Sequence, residues 1–208
     1  KQTTIGVAWS VIRPVLTLSV MAFLGWLFES KLPGDVPRLL LVGAATLPWT
    51  FFSTAFSEAA NSLVANRNLL TKIYFPRLIV PASTVIVCLI DFLISFIILV
   101  LLMIFYQFAP DVKLLLLPFF LLLALVTAMG TGILIAALNV KYRDFRYIIP
   151  FIVQFGLYVS PVAFSSADIY ESIRIPEALK LLYAMNPMVG VIDGFRWCVL
   201  GGETALYI

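Results

Sequence analysis

Residues 66–108 read NRNLLTKIYFPRLIVPASTVIVCLIDFLISFIILVLLMIFYQF. Residues 66–77 carry Arg67, Lys72 and Arg77 and no acid, whereas 79–108 are interrupted by a single charge, Asp91. A helix needs about 20 apolar residues to cross the hydrocarbon core of a bilayer, so 79–108 is long enough to span one. A short loop rich in Lys and Arg resists translocation and stays on the cytoplasmic side. This stretch therefore sets the class, an all-α integral membrane protein, and the direction in which the chain is threaded.

Working outward, the pattern repeats. Residues 39–65 form a second apolar stretch, with Pro48 as its expected kink. Ahead of it, in 29–38, Glu29 and Asp35 balance Lys31 and Arg38. Residues 9–28 form the first, with Arg13 able to snorkel and Pro14 near the helix entry. On the other side, a short loop with Pro110, Asp111 and Lys113 leads into a fourth stretch at 114–138. A second basic loop, NVKYRDFRY at 139–147, sets Lys141, Arg143 and Arg146 against Asp144. A fifth stretch runs over 148–164, between Pro150 and Pro161. The positive-inside rule then predicts a cytoplasmic N-terminus, with 29–38 facing outward.

Composition agrees. The chain is 62% hydrophobic and 12% charged, with a mean hydropathy of +1.05. Soluble domains run at roughly 45–50% apolar and about 25% charged. The net charge of +3 comes mainly from the loops flanking the membrane, so nucleic acid is not an expected partner. Cys88 and Cys198 stand far apart in no metal-ligand spacing, and there is no His. No Gly-rich phosphate loop ending in Lys-Ser or Lys-Thr is present, nor any Ser/His/Asp set. The chain is expected to be no enzyme and to bind no metal or cofactor, so energy for transport must come from a gradient or another subunit.

After Phe164 the pattern changes. Residues 176–200 offer two short apolar runs split by Asn186-Pro187, neither long enough to cross. They read as a helical hairpin that enters the outer leaflet and returns, tolerable where protein or a wet cavity covers its backbone. Asp168, Glu171, Glu177, Asp193 and Glu203, against Arg174, Lys180 and Arg196, read as an outer polar face. The chain opens on Lys1 and ends in GGETALYI, and is read as a single transmembrane domain cut from a longer protein, with a sixth span expected beyond Ile208.

Three features allow two readings each. Glu58 and Asp91 lie inside spans, and an intramembrane carboxyl is a functional hypothesis by default. They are either proton-coupling sites or groups bonded to nearby Ser57, Asn61 and Ser95. Trp49, Phe52 and Phe56 share a face of the second span, and Phe151, Phe155 and Tyr158 a face of the fifth. Such faces serve either helix packing or as a lining on which a sugar chain slides. In the first basic loop, Leu69, Leu70, Ile73 and Tyr74 fall near one helical side. That suits an interfacial turn against anionic lipid, or a coupling helix offered to a cytoplasmic motor.

QTTIGVAWSVIRP (2–14), NRNLLTKIYFPRLIVP (66–81), LNVKYRDFRYIIPF (138–151) and MNPMVGVIDGFRW (185–197) stand in this order along the chain. Together they resemble the membrane subunit of ABC-type polysaccharide exporters, which move lipid-linked O-antigen, capsule or teichoic-acid chains out of the bacterial cytoplasm. The resemblance implies a homodimer of six-helix permeases in the bacterial inner membrane, paired with two copies of an ATP-binding cassette subunit that holds ATP and Mg. It implies an outer re-entrant hairpin, here at 176–200. By position, Asn66, Arg67, Leu70, Lys72, Tyr74, Phe75, Pro76 and Arg77 would dock the ATPase, with Lys141, Arg143, Asp144 and Arg146 as a second cytoplasmic contact. Arg13 would attract lipid phosphate at the entry, and the two aromatic faces would line the path. Competing readings are a drug or lipid exporter on the same fold, a proton-coupled carrier using Glu58 or Asp91, and a membrane scaffold.

Overall fold

The computed structural model describes residues 38–72, 76–108, 112–142, 144–162, 164, 166–172 and 175–201, with residues 12, 15, 16, 19 and 20 of the first apolar stretch. The expected span at 9–28 lies outside the described residues, those five helical positions apart. All described elements are helical: α1 (Arg38–Ala65), α2 (Arg67–Lys72), α3 (Ile79–Phe105), a 3-10 turn (Val112–Leu116), α4 (Leu117–Lys141), α5 (Phe145–Val159), α6 (Ser166–Tyr170), α7 (Glu177–Ala184) and α8 (Pro187–Leu200). Three stretches, Leu40–Ala65, Ile79–Phe105 and Val112–Lys141, are long and apolar enough to cross a membrane.

The helix boundaries follow local chemistry. α3 was expected to reach Phe108 but stops at Phe105, because Gln107 turns into the left-handed region at φ 54°. There the Gln107 N–H donates to the Ile104 carbonyl at 3.1 Å and the Phe108 N–H to the Met103 carbonyl at 2.9 Å. That pair of bonds is a Schellman cap, which satisfies carbonyls the helix end would leave open. α4 begins three residues later than expected, with Pro118 in its first turn, and ends three residues later, at Lys141. α5 is shorter than the expected 148–164. Ser160 adopts φ −95° and ψ 149° ahead of Pro161, the extended geometry a following proline imposes. Its 15 residues rise about 22 Å, less than the thickness of the hydrocarbon core.

α1 is the centre of the bundle. Its spanning window is 61% buried, against 22% for the windows of α3 and α4, whose outer faces are apolar and open. It meets α4 through small residues. Ala44, Ala45, Ala55, Ala59 and Ala60 are buried on α1, and Ala124, Ala128, Gly132 and Ala136 recur every four residues on α4. Within a membrane the helices gain no hydrophobic drive from each other, so close backbone approach and dispersion hold them. At Gly132 the approach is close, since a Cβ placed there would lie 2.7 Å from the Ala59 Cβ.

α8 is buried nearly all round. Its Asn186 N-cap accepts from the Met188 N–H at 3.0 Å and Pro187 follows, so the Asn-Pro pair starts a helix here as well as ending the one before. Phe195 of α8 meets Phe92 edge-on at 5.9 Å, and Phe92 in turn meets Phe51 at 5.4 Å. Phe92 sits halfway along α3, so α8 reaches well into the bundle. Gly194 makes room for the Phe120 ring near the start of α4.

Candidate functional site

The two ends of the bundle differ. At one end, Ala65 closes α1 and Ile79 opens α3, with α2 between them. The end of α4 lies there too, because Asn139 donates to the Ala60 carbonyl at 3.1 Å and to Asn61 Oδ1 at 3.3 Å. Both basic segments therefore share this end. The Lys113 ammonium lies 5.0 Å over the Trp197 ring, which sets the end of α8 at the other end of the bundle, with the start of α4.

At the basic end, Asn66 caps α1 by donating from its side chain to the Ser62 carbonyl at 2.9 Å. The six-residue helix α2 follows at once, so the chain turns without slack. Arg67, Lys72, Pro76 and Arg77 are exposed. Leu70 lies within α2, while Tyr74 and Phe75 lie outside the described residues. The second basic segment differs from its expected form as a loop over 139–147. Asn139 and Lys141 are helical, as are Arg146 and Tyr147, which leaves a connection of three residues, 142–144. Lys141 falls in the last turn of α4, where a cation complements the open carbonyls, and its ammonium lies 5.1 Å from the Tyr142 ring centroid. Lys141, Asp144 and Arg146 are exposed; Arg143 and Arg13 lie outside the described residues.

The two aromatic faces occupy different settings. On α1, Trp49 and Phe52 lie 5.5 Å apart and Phe52 stacks on Phe56 at 5.9 Å. Phe56 is 2% exposed and packs with Ile149 of α5 and Ala60, against Ile135 and Val153. The Trp49 ring covers Gly156, where a Cβ would lie 2.7 Å from it. This face is thus the seat of α5. On α5, Phe151 stacks on Phe155 at 5.8 Å, and Phe151 and Tyr158 are 65% and 69% exposed. α5 turns Ile149, Val153 and Gly156 to α1 and presents its aromatic face away from it. The fold does not bring the two faces together within one chain.

Glu58 and Asp91 are exposed on α1 and α3. The polar neighbours expected to bond them are used otherwise: Ser57 donates to the Ser53 carbonyl, Asn61 to the Ser57 carbonyl and Ser95 to the Asp91 carbonyl.

Sequence reasoning missed a cluster where α8 meets the end of α5. Asp193 and Arg196, assigned to an outer polar face, are 7% and 6% exposed. Arg196 donates to the Phe164 carbonyl at 2.8 Å and the Val162 carbonyl at 3.1 Å. These carbonyls follow Pro161, which has no N–H to offer a local turn, so the guanidinium supplies the donors. Ser166 and Tyr183 share a hydrogen bond of 3.0 Å, and Asn186 donates to Ser160 Oγ at 3.3 Å. Burial raises the Asp193 carboxyl above its ordinary range, against the Ser166 hydroxyl and the Arg196 charge. Burial likewise pushes the Tyr183 hydroxyl up to about 12. Asp193 Oδ2 and Arg196 Nε are buried without a hydrogen-bond partner among the described residues. The signal was legible in principle, as an acid and a base three apart on an otherwise apolar helix.

Among the described residues no group of His, Cys, Asp and Glu could hold a metal ion. The arrangement offers a basic end, an exposed aromatic face and a braced opposite end, which suits transport or docking better than bond-making chemistry.

Comparison with known proteins agrees with this reading. Residues 1–200 match the family model described as ABC-2 type transporter. The chain is 28% identical over 192 residues to the O-antigen export system permease protein RfbA of Myxococcus xanthus, covering 92% of this chain and 72% of that protein. It is 24% identical over 206 residues to the protein of that name from Klebsiella pneumoniae, covering 97% of this chain and 75% of the relative.

Proposed function

The chain belongs to the ABC-2 type transporter family, and from that premise we propose that it is the permease subunit of an ATP-driven exporter of lipid-linked polysaccharide. The observation that carries the reading is the match over nearly the whole chain, to the family and to permeases named for O-antigen export. The chain is a multi-pass membrane protein, and its family implies an ATP-binding cassette partner.

The basic end faces the cytoplasm, because short Lys- and Arg-rich segments resist translocation. The permease crosses the bacterial inner membrane with α5 as its fifth span, completed by the residues up to 164, and pairs with a second copy. Residues 176–200 form the outer re-entrant hairpin; the contact of Phe195 with Phe92 halfway along α3 supports this depth. Two ATPase subunits, which hold ATP and Mg, dock at 66–77 and at Lys141, Arg143, Asp144 and Arg146. Their closure on ATP is passed through α2 and opens a path between the two permeases. The lipid-linked end enters first, drawn by basic groups such as Arg13, and the sugar chain follows. The exposed stripe Phe151, Phe155 and Tyr158 offers it flat apolar faces to slide on.

Removing the protein from its bacterium tests this. Lipid-linked polysaccharide should accumulate inside and vanish from the surface, and the wild-type protein should restore it. Unchanged surface polysaccharide would reject the proposal.

A further inference from the structure

We propose that the amide pair Asn61–Asn139 is the joint that carries movement of α2 into α5, so that a stroke on the first basic segment also moves the second and the aromatic face beyond it. The proposal deepens the reading above and rests on α2 being the element that meets the ATPase.

Most polar side chains in the spanning helices bond their own helix. Thr46 donates to Val42, Ser57 to Ser53, Thr84 to Pro81 and Thr127 to Leu123, each three or four residues back. Asn139 departs from this. It is 3% exposed, and its Nδ2 donates across the α1–α4 interface to the Ala60 carbonyl and to Asn61 Oδ1. Asn61 is turned to receive it, because its own Nδ2 donates to the Ser57 carbonyl at 2.9 Å. The pair is the cross-link between spanning helices that hydrogen bonds supply among the described residues.

The contact beside it explains why a polar joint is needed. α1 and α4 meet through Ala and Gly, with Gly132 set closely against Ala59. Small side chains permit close approach but interlock weakly, so such a seam holds helices together better than it fixes their register. A hydrogen bond in apolar surroundings is directional, and breaking it leaves buried polar groups unmatched. Sliding along the seam is what the amides oppose.

The location makes the joint mechanical. Ala60 and Asn61 lie in the last turns of α1, Asn66 closes the helix on Ser62, and α2 starts at Arg67. Asn139 lies two residues before α4 ends at Lys141, and α5 starts at Phe145. The three-residue connection is itself tied. The Tyr142 N–H donates to the Leu138 carbonyl at 2.7 Å, the Phe145 N–H to Tyr142 at 3.3 Å and the Tyr147 N–H to Asp144 at 3.0 Å. From α2 to Phe151 the route is thus helix, amide joint, helix end and tight turn, with no long loop to absorb a displacement.

The test uses the full-length permease with its ATPase partner, reconstituted in vesicles with lipid-linked polysaccharide. ATP hydrolysis and polymer translocation are measured together, at equal amounts of assembled complex, for wild type, Asn61→Ala, Asn139→Ala and the double variant. Each single variant should keep the ATPase bound and hydrolysing within about twofold, while polymer moved per ATP falls about tenfold. The double variant should be no worse than Asn139→Ala alone, because Asn61→Ala removes only a contact that Asn139→Ala has already removed, the bond to the Ala60 carbonyl being lost in Asn139→Ala as well. Unchanged polymer per ATP, single effects that multiply in the double, or loss of the ATPase from a single variant would each overturn the joint. A wild-type complex that hydrolyses ATP and moves no polysaccharide would instead overturn the functional reading beneath it.

Discussion

Gln107 holds a backbone angle, φ 54°, that costs a residue with a Cβ roughly 1–2 kcal/mol. Glycine avoids that cost at some loss of unfolded-chain entropy. Gln107→Gly should therefore stabilise the protein by about 0.5–1 kcal/mol, seen as a higher midpoint of thermal unfolding in detergent. Asp193 gives a pH signature. Burial raises its carboxyl in the folded state above the ordinary value of 3.8, so the folded protein holds the proton more tightly than the unfolded chain. Its contribution is present below that value and lost as pH rises through the folded pKa. Stability measured across this acid range should fall with pH more steeply in wild type than in Asp193→Asn. Gln107 was not legible in the sequence, and Asp193 only through its spacing from Arg196 on an otherwise apolar helix. Gln107 sat within the apolar run 79–108, and nothing in its identity announces a left-handed turn. In the sequence Asp193 and Arg196 read as solvent-facing charges, because periodicity does not show that a third element covers a helix's polar side.

Pairs of glycines on one element separate packing from propensity. Gly130 and Gly132 lie on α4, but a Cβ at Gly130 meets nothing within 4 Å, while one at Gly132 meets Ala59. Gly130→Ala should stabilise by about 0.5–1 kcal/mol, through reduced backbone freedom in the unfolded chain. Gly132→Ala should destabilise by about 1–3 kcal/mol, because neither the Ala59 Cβ nor its helix can step aside. Thermal unfolding of the two variants beside wild type checks the opposite signs. At this scale the sequence was informative where length and hydropathy decide, so α1, α3 and α4 stand close to where the apolar runs put them. It was less so where a neighbour decides. Asn139 read as a loop residue because of the charges after it, yet its amide finds α1 and the helix continues through it. The fifth apolar run hid a break, since Ser160-Pro161 ends α5 whatever the hydropathy beyond.

For the whole molecule, the division into a basic end, an apolar middle and a braced opposite end explains how transport is divided between chains. The basic end carries no phosphate-binding loop of its own in its sequence but exposes Arg67, Lys72, Arg77, Lys141 and Arg146. The α1 aromatic face is consumed in seating α5, whereas the α5 face is left open, which periodicity alone could not distinguish. In the proposed function, a separate ATPase docked at the basic end drives this permease. The most direct measurement is gentle purification of the full-length protein from its native membrane, with identification of what accompanies it. An ATP-binding cassette subunit should come with it at equal stoichiometry and be lost when residues 74–77 are replaced while the permease stays folded. A folded, homogeneous permease that moves its substrate with no ATPase bound would contradict it.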